Sequence, residues 1–245
     1  MNQTWIILGA TSTMARDFAR ALAAQGDGLL LAGRDAAELK ALAQDCQLRG
    51  ARMAEAVHFD ARDASGFAAI LERAEQESGA LNAGVFVGSM PDQAEIDADP
   101  ALVDGTIIDS FTGSARFLQM LAPMMEARGS GTVVGVGSVA GDRGRIANYV
   151  YGSAKAGFAT YLSGLRNRLN RAGCHVITVK PGPVDTAMTW GLDALPFMTT
   201  PDAVTRDILK GVRKRRNVIY TAGIWRLVMF VIRSIPEPIF KKMSI

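Results

Sequence analysis

Two cysteines, Cys46 and Cys174, and two histidines, His58 and His175, are all this chain has of the side chains that most often bind metals or form cross-links. The cysteines lie far apart in sequence, so a disulfide is not expected, and no cluster of thiols and imidazoles suggests a metal site. No linker divides the 245 residues, a length that suits one large domain. Nor is there an apolar run of the ~20 residues that a membrane-spanning helix needs. The nearest approach, Ile224 to Pro236, is shorter and is interrupted by Arg226. The chain enters an apolar strand by Trp5 without a basic, cleavable leader, so a reducing cytoplasm is the expected compartment.

A hydrophobic content of 49% with 21% charged residues is ordinary globular composition. The net charge of +3 hides an uneven distribution. From Ile208 onward nine basic residues face a single acid, Glu237, so this segment carries +8 and the remainder −5. A basic tail on an acidic body suggests an anionic partner surface. In residues 224–242, Arg226 and Arg233 share a helical face while Trp225, Leu227, Met229 and Phe230 fill most of the rest. Two readings stay open: an arm buried against a neighbouring subunit, or a peripheral helix lying on the inner face of the cell membrane. Nucleic acid is not expected, because basic and aromatic residues are not interleaved along a groove-forming element.

The chemistry concentrates in residues 133–157, VVGVGSVAGDRGRIANYVYGSAKAG. A β-branched run ends at Ser138, and Tyr151 and Lys155 follow four apart on a helical pattern, hence on one face. An ammonium one turn away predicts a phenol made more acidic than its usual pKa of ~10, and so a workable general acid or base. Ser138, 13 residues before Tyr151, is placed to hold a substrate oxygen. Such a site still needs a hydride donor. At the start of the chain the strand TWIIL, the turn GATSTMA and a helical pattern through Phe18 and Leu22 form the strand, turn and helix N-terminus that present backbone N–H groups to a pyrophosphate.

These features together resemble the short-chain dehydrogenase/reductase family over nearly the whole chain. The resemblance implies an α/β, doubly wound (Rossmann) parallel sheet of about seven strands with helices on both faces. It places a single domain at 1–223, with a substrate lid at 183–200, and leaves 224–245 as the tail. It implies an NAD(P)-dependent oxidoreductase acting on a ketone or secondary alcohol, usually as a homodimer or homotetramer. Ser138, Tyr151 and Lys155 are then the catalytic residues, with Lys155 also holding the nicotinamide ribose. Cofactor contacts are expected from Gly9, Thr11, Ser12 and Met14 in the first turn, from Asp60 and Ala61 at the adenine, and from Pro181, Gly182 and Val184 beside the nicotinamide.

Departures from the family pattern shape the remaining expectations. Thr13 and Ala15 replace two of the three usual glycines. Asn82-Ala83-Gly84 precedes its apolar run, so Gly88, at the expected strand end, is assigned to the cofactor and Asn82 to a turn. Ser110 stands where the family has an asparagine. These substitutions keep open a catalytically inactive NADP(H)-binding redox sensor or scaffold as the alternative. Ala32 and Gly33 occupy the place of the carboxylate that bonds the ribose 2′-OH in NAD enzymes, and Arg34 follows, which predicts NADP(H) over NAD(H). Asp35 is explained as a helix N-cap, with Glu38 completing a capping box. The opening Leu-Gly-Ala-Thr-Ser-x-Met-Ala, the Ser-Val-Ala-Gly-Asp-Arg-x-Arg segment and the Trp/Arg tail are similar to decaprenylphosphoryl-2-keto-pentose reductases. That branch implies a lipid-linked keto-sugar, with Arg143 and Arg145 meeting its phosphate and the lid, which carries Trp190, covering an apolar pocket. A packed satellite core is the competing reading of the lid.

Overall fold

The computed structural model describes residues 2–190 and 196–244. Seven strands form one sheet: β1 (Gln3–Leu8), β2 (Gly28–Gly33), β3 (Met53–His58), β4 (Ala80–Val85), β5 (Thr132–Val136), β6 (His175–Pro181) and β7 (Val218–Thr221). Their order across the sheet is β3-β2-β1-β4-β5-β6-β7, and every pairing is parallel. A parallel sheet is covered on both faces, so its strands are apolar without alternation. β2, GLLLAG, is buried along its whole length.

Helices α1 (Thr13–Ala23), α2 (Ala36–Leu48) and α8 (Pro201–Arg213) build one face, where Phe18, Leu22, Leu39 and Ile208 share a core with Trp5 and Ile7. On the other face lie α3 (Phe67–Glu75), α6 (Gly113–Arg128) and α7 (Tyr149–Asn170), around Phe67, Phe117, Phe158 and Leu162. Phe59, Phe67 and Phe117 pack ring against ring at 5.1 to 5.8 Å between centroids. Two short helices, α4 (Gln93–Ala98) and α5 (Leu102–Ile107), lead into α6 through a π-helical turn at Ile108–Thr112. Gly113 opens α6 against the loop after β3, where a Cβ would stand 2.4 Å from the Ala61 carbonyl oxygen. This close approach fixes the Asp60-Ala61 loop against the start of α6.

The chain runs outward from β1 to β3 and returns to β4 on the other side of β1. Such a reversal opens a crevice beyond the carboxyl ends of the strands. Asn82 is not a turn residue as its sequence position suggested. It lies inside β4 and is 1% exposed, with its Oδ1 accepting from Thr132 N at 2.8 Å and its Nδ2 donating to Thr4 O at 3.3 Å. An amide that satisfies both neighbouring strands at once is stable only within the sheet.

The tail folds back as α9 (Ile224–Ser234) and α10 (Glu237–Phe240). Trp225 and Met229 of α9 are buried against Val139 in the loop after β5. Arg143 clasps the far end of this helix. Its guanidinium donates to the carbonyls of Ile232 and Ile235 at 2.6 and 2.7 Å and to Glu237 at 2.9 Å, and it stacks 3.6 Å over the Phe240 ring. A cation at a helix C-terminus also meets the negative end of the helix dipole. The inner side of the tail therefore belongs to its own subunit.

Candidate active site

The crevice has two adjoining halves. The first, about 260 Å³, is lined by Gly9, Thr11, Ser12, Arg34, Asp60, Ala61 and Gly88, seven of the residues expected to meet the cofactor. Gly9 takes a positive φ of +74°, and a Cβ there would stand 3.1 Å from the carbonyl carbon and oxygen of Phe86. Only glycine suits that turn. Ser12 caps α1, accepting from Ala15 N at 3.4 Å. The first-turn N–H groups that no preceding carbonyl can satisfy are donors at the mouth of the crevice. Thr13 is exposed and outside the lining, so its bulk does not close the site, and Ala15 is fully buried against the sheet.

Asp35 caps α2, its Oδ1 accepting from Glu38 N at 2.9 Å. The reciprocal half of the expected capping box is not formed. Glu38 instead pairs with Arg16 at 2.6 Å, and Arg16 also donates to Thr11 O at 2.8 Å, which braces the glycine turn. An ion pair with a nearby guanidinium outcompetes a second bond to a backbone N–H.

The second half, about 300 Å³, holds Ser138 and Tyr151 together with Met14, Pro181, Gly182 and Val184. Ser138 is extended at the end of β5 and its Oγ accepts from Ala140 N at 3.1 Å. Lys155 is buried one turn beyond Tyr151 and donates to the carbonyls of Val87 and Val136, each at 3.2 Å. Those two carbonyls follow β4 and end β5, so the ammonium ties the helix to the strand tips. A Cβ on Gly88 would meet Lys155 Nζ at 3.1 Å and Ser110 Oγ at 3.4 Å, so both side chains lie directly behind a residue of the first half without lining either half themselves. Ser110 sits within the π turn, donating to Ser89 O at 3.1 Å and accepting from Ser89 N at 3.3 Å. Its hydroxyl is spent on anchoring the loop after β4.

The electrostatics differ from the sequence expectation of a tyrosine made acidic by lysine. Burial pushes the Tyr151 phenol up to about 12, with Ser138 pulling the other way, and burial brings Lys155 down to about 8. The ammonium lies 5.8 Å from the centre of the Tyr151 ring and is turned toward backbone carbonyls. Dehydration therefore dominates at both groups, and Tyr151 is held as a neutral phenol.

The three proposed substrate residues separate. Arg145 lines the second half of the crevice. Arg143 does not, because the tail engages its guanidinium fully. Trp190 is 76% exposed, and the wall expected of it is supplied by Trp225 of α9, whose indole would overlap any Cβ on Gly182. Of the expected lid, residues 191–195 lie outside the described residues, while Thr186, Met188, Thr189 and Pro196 line the pocket. Asn148 and Met90 also line it and carry no sequence signal of their own. Among the described residues, no cluster of side chains is suited to a metal ion, and no helix is long and apolar enough to cross a membrane.

A crevice beyond the strand tips with a serine and a tyrosine in its second half, and a lysine buried one turn beyond the tyrosine, is the arrangement expected of an NAD(P)-dependent oxidoreductase. A model of short chain dehydrogenases matches residues 3–194, and the chain belongs to that family. An uncharacterized oxidoreductase of Mycobacterium tuberculosis is 31% identical over 239 residues, spanning 97% of this chain and 96% of the relative. A solved short-chain dehydrogenase from Sphingobium yanoikuyae, in complex with NADPH, has a TM-score of 0.77 at 24% identity and 97% coverage of each chain. Another, from Burkholderia cenocepacia in complex with NADP, has a TM-score of 0.84 at 15% identity, covering 98% of this chain and 97% of the other. These two share its fold.

Proposed function

We propose that the chain is an NADP(H)-dependent ketone reductase in which Tyr151 is the proton donor. The carrying observation is the buried, neutral phenol beside Ser138 at the inner end of a glycine-turn crevice. Gly9, Thr11 and Ser12 hold the phosphates, Met14, which lines the second half, meets the nicotinamide end, Arg34 at the outer rim pairs with a 2′-phosphate, and Lys155 holds the nicotinamide ribose. The nicotinamide, when bound, supplies a hydride. Ser138 orients the substrate carbonyl, and Tyr151 delivers its proton to the oxygen as alkoxide charge develops. A phenol near 12 remains a stronger acid than a carbinol, so the transfer runs downhill. The NADPH and NADP bound in the two similar solved structures agree with the choice of cofactor.

A lipid-linked ketone is the substrate class we favour, on the strength of the tail. While Trp225 walls the pocket, the outer side of α9 exposes Ile224, Leu227, Phe230 and Val231. Arg226 of the same helix joins Lys210, Lys214, Arg215 and Arg216 around a groove at the β7 edge. Apolar and basic groups side by side suit an anionic membrane surface, with the pocket opening beneath it. The test follows NADPH consumption with water-soluble and prenyl-linked ketones, with and without phosphatidylglycerol vesicles. Turnover of prenyl-linked ketones enhanced by vesicles supports both parts. NADPH binding without turnover of any ketone favours the sensor or scaffold reading instead.

A further inference from the structure

We infer that the substrate carries an oxyanion, a carboxylate or a phosphate, and that Arg145 binds it within the catalytic pocket. The inference rests on the reductase reading of that pocket and names the chemistry of its occupant.

Among the described residues, two polar atoms lining the pocket are buried without a hydrogen-bond partner: Arg145 Nε and Asn148 Oδ1. Buried polar groups are paired almost without exception, and Arg145, a half-buried cation whose Nε is fully enclosed, is the more in need of an anion. The carboxylate nearest in sequence, Asp142, is already taken. It pairs with Lys180 and accepts from the Tyr220 hydroxyl at 2.7 Å, which ties the catalytic loop to β6 and β7. Among the described residues, Arg145 thus has no hydrogen-bonded anion, Asp142 acting on it only through space, and its fork of donors lines the pocket that holds Ser138 and Tyr151.

Arg143, two residues earlier, shows by contrast how such a group is satisfied when its role is structural. It has two carbonyls, a carboxylate and a ring face, all from the tail. Asn148 repeats the pattern at a second position. It stands at the N-cap of α7, where an asparagine side chain ordinarily bonds the first turn, yet it makes no capping bond. Its free Oδ1 calls for a donor, such as a hydroxyl beside the anion. Met14, Met90, Met188, Pro183 and Trp225 make much of the pocket apolar, and the other polar side chains in its lining, Ser138, Tyr151, Thr186 and Thr189, are uncharged, so Arg145 is the cation there for the charged end of the substrate.

Matched pairs of ketones separate the two sources of charge: dihydroxyacetone phosphate against dihydroxyacetone, and levulinate against methyl levulinate. With NADPH saturating, the wild type is expected to prefer the anionic member of at least one pair. Arg145→Gln should lower kcat/KM for that member by about 10- to 100-fold, chiefly through KM, and by at least about tenfold more than for its neutral twin, while Arg145→Lys recovers part of the loss. Calorimetric titration of phenyl phosphate and of benzoate into the enzyme saturated with NADP+ tests the same site without turnover, with binding expected in the wild type and lost in Arg145→Gln. Equal affinities in both proteins, or no binding of either probe, overturn the inference. Should no ketone be reduced while the titration still depends on Arg145, the reductase reading fails and the anion site stands.

Discussion

Lys155 gives the sharpest physical prediction, because its burial sets both a stability and an activity. An ordinary lysine titrates at 10.5, whereas this one titrates at about 8 because burial disfavours the ammonium. That gap corresponds to about 3 kcal/mol. Between the two values the unfolded chain holds a proton that the folded chain has released, so Lys155 adds stability as the pH climbs from about 8 to 10.5. Below about 8 its contribution is flat and at its least favourable. Cys46, raised by burial from 9.0 to about 11, and Tyr151, Tyr161 and Tyr220, each raised from 10.0 to about 12, act in the opposite sense over pH ranges that overlap this one. Both proteins keep those groups, so they cancel when wild type is compared with Lys155→Met. Urea unfolding of the two at a series of pH values should show the difference in free energy moving by up to about 3 kcal/mol toward the wild type across that window. In parallel, kcat/KM for NADPH should fall about tenfold per pH unit above the lysine's titration point, because it reports on groups of the free enzyme. A stability difference independent of pH would refute the assignment of Lys155 as a buried cation.

Other perturbations probe the scaffold around this pair. Gly9→Val forces a β-branched residue into positive φ against the Phe86 backbone, which should cost roughly 1–3 kcal/mol, lower Tm by several degrees in calorimetry and raise KM for NADPH. Arg34→Glu should shift the ratio of kcat/KM for NADPH over NADH by at least about tenfold toward NADH, since it trades a charge-assisted hydrogen bond for repulsion. Asp142→Ala strands Lys180 in a site where its side chain is 16% exposed, and urea denaturation should register a loss of about 3 kcal/mol or more. Leu227→Glu with Phe230→Glu should abolish sedimentation with phosphatidylglycerol vesicles and leave reduction of a soluble ketone unchanged.

How much of this was visible beforehand depended on the range of the interactions involved. The strands, the glycine turn and the Ser138, Tyr151, Lys155 spacing are local patterns, and the apolar runs and the four-residue helical step carry them directly. Asn82 was misplaced because its partners, Thr4 and Thr132, lie 78 and 50 residues away in the strands on either side. Arg143 was assigned to substrate because the carbonyls it binds come 89 and 92 residues later, from a tail whose packing no local pattern shows. The same packing explains why Trp225 rather than Trp190 walls the pocket. The phenol's weak acidity is hidden from the sequence for a different reason. Charge spacing is legible in a sequence, but the dehydration that outweighs it exists only after the helix closes on the strand tips.

The central claim is that a neutral Tyr151 protonates a ketone oxygen in a pocket that receives hydride from the nicotinamide. The most direct measurement offers the wild type and Tyr151→Phe a ketone together with NADPH deuterated at C4, and follows label transfer to the carbinol by mass spectrometry. The account predicts label on the carbinol carbon with the wild type, and at least a ~100-fold slower transfer in the variant with NADPH affinity retained. Transfer at the wild-type rate in Tyr151→Phe would contradict it.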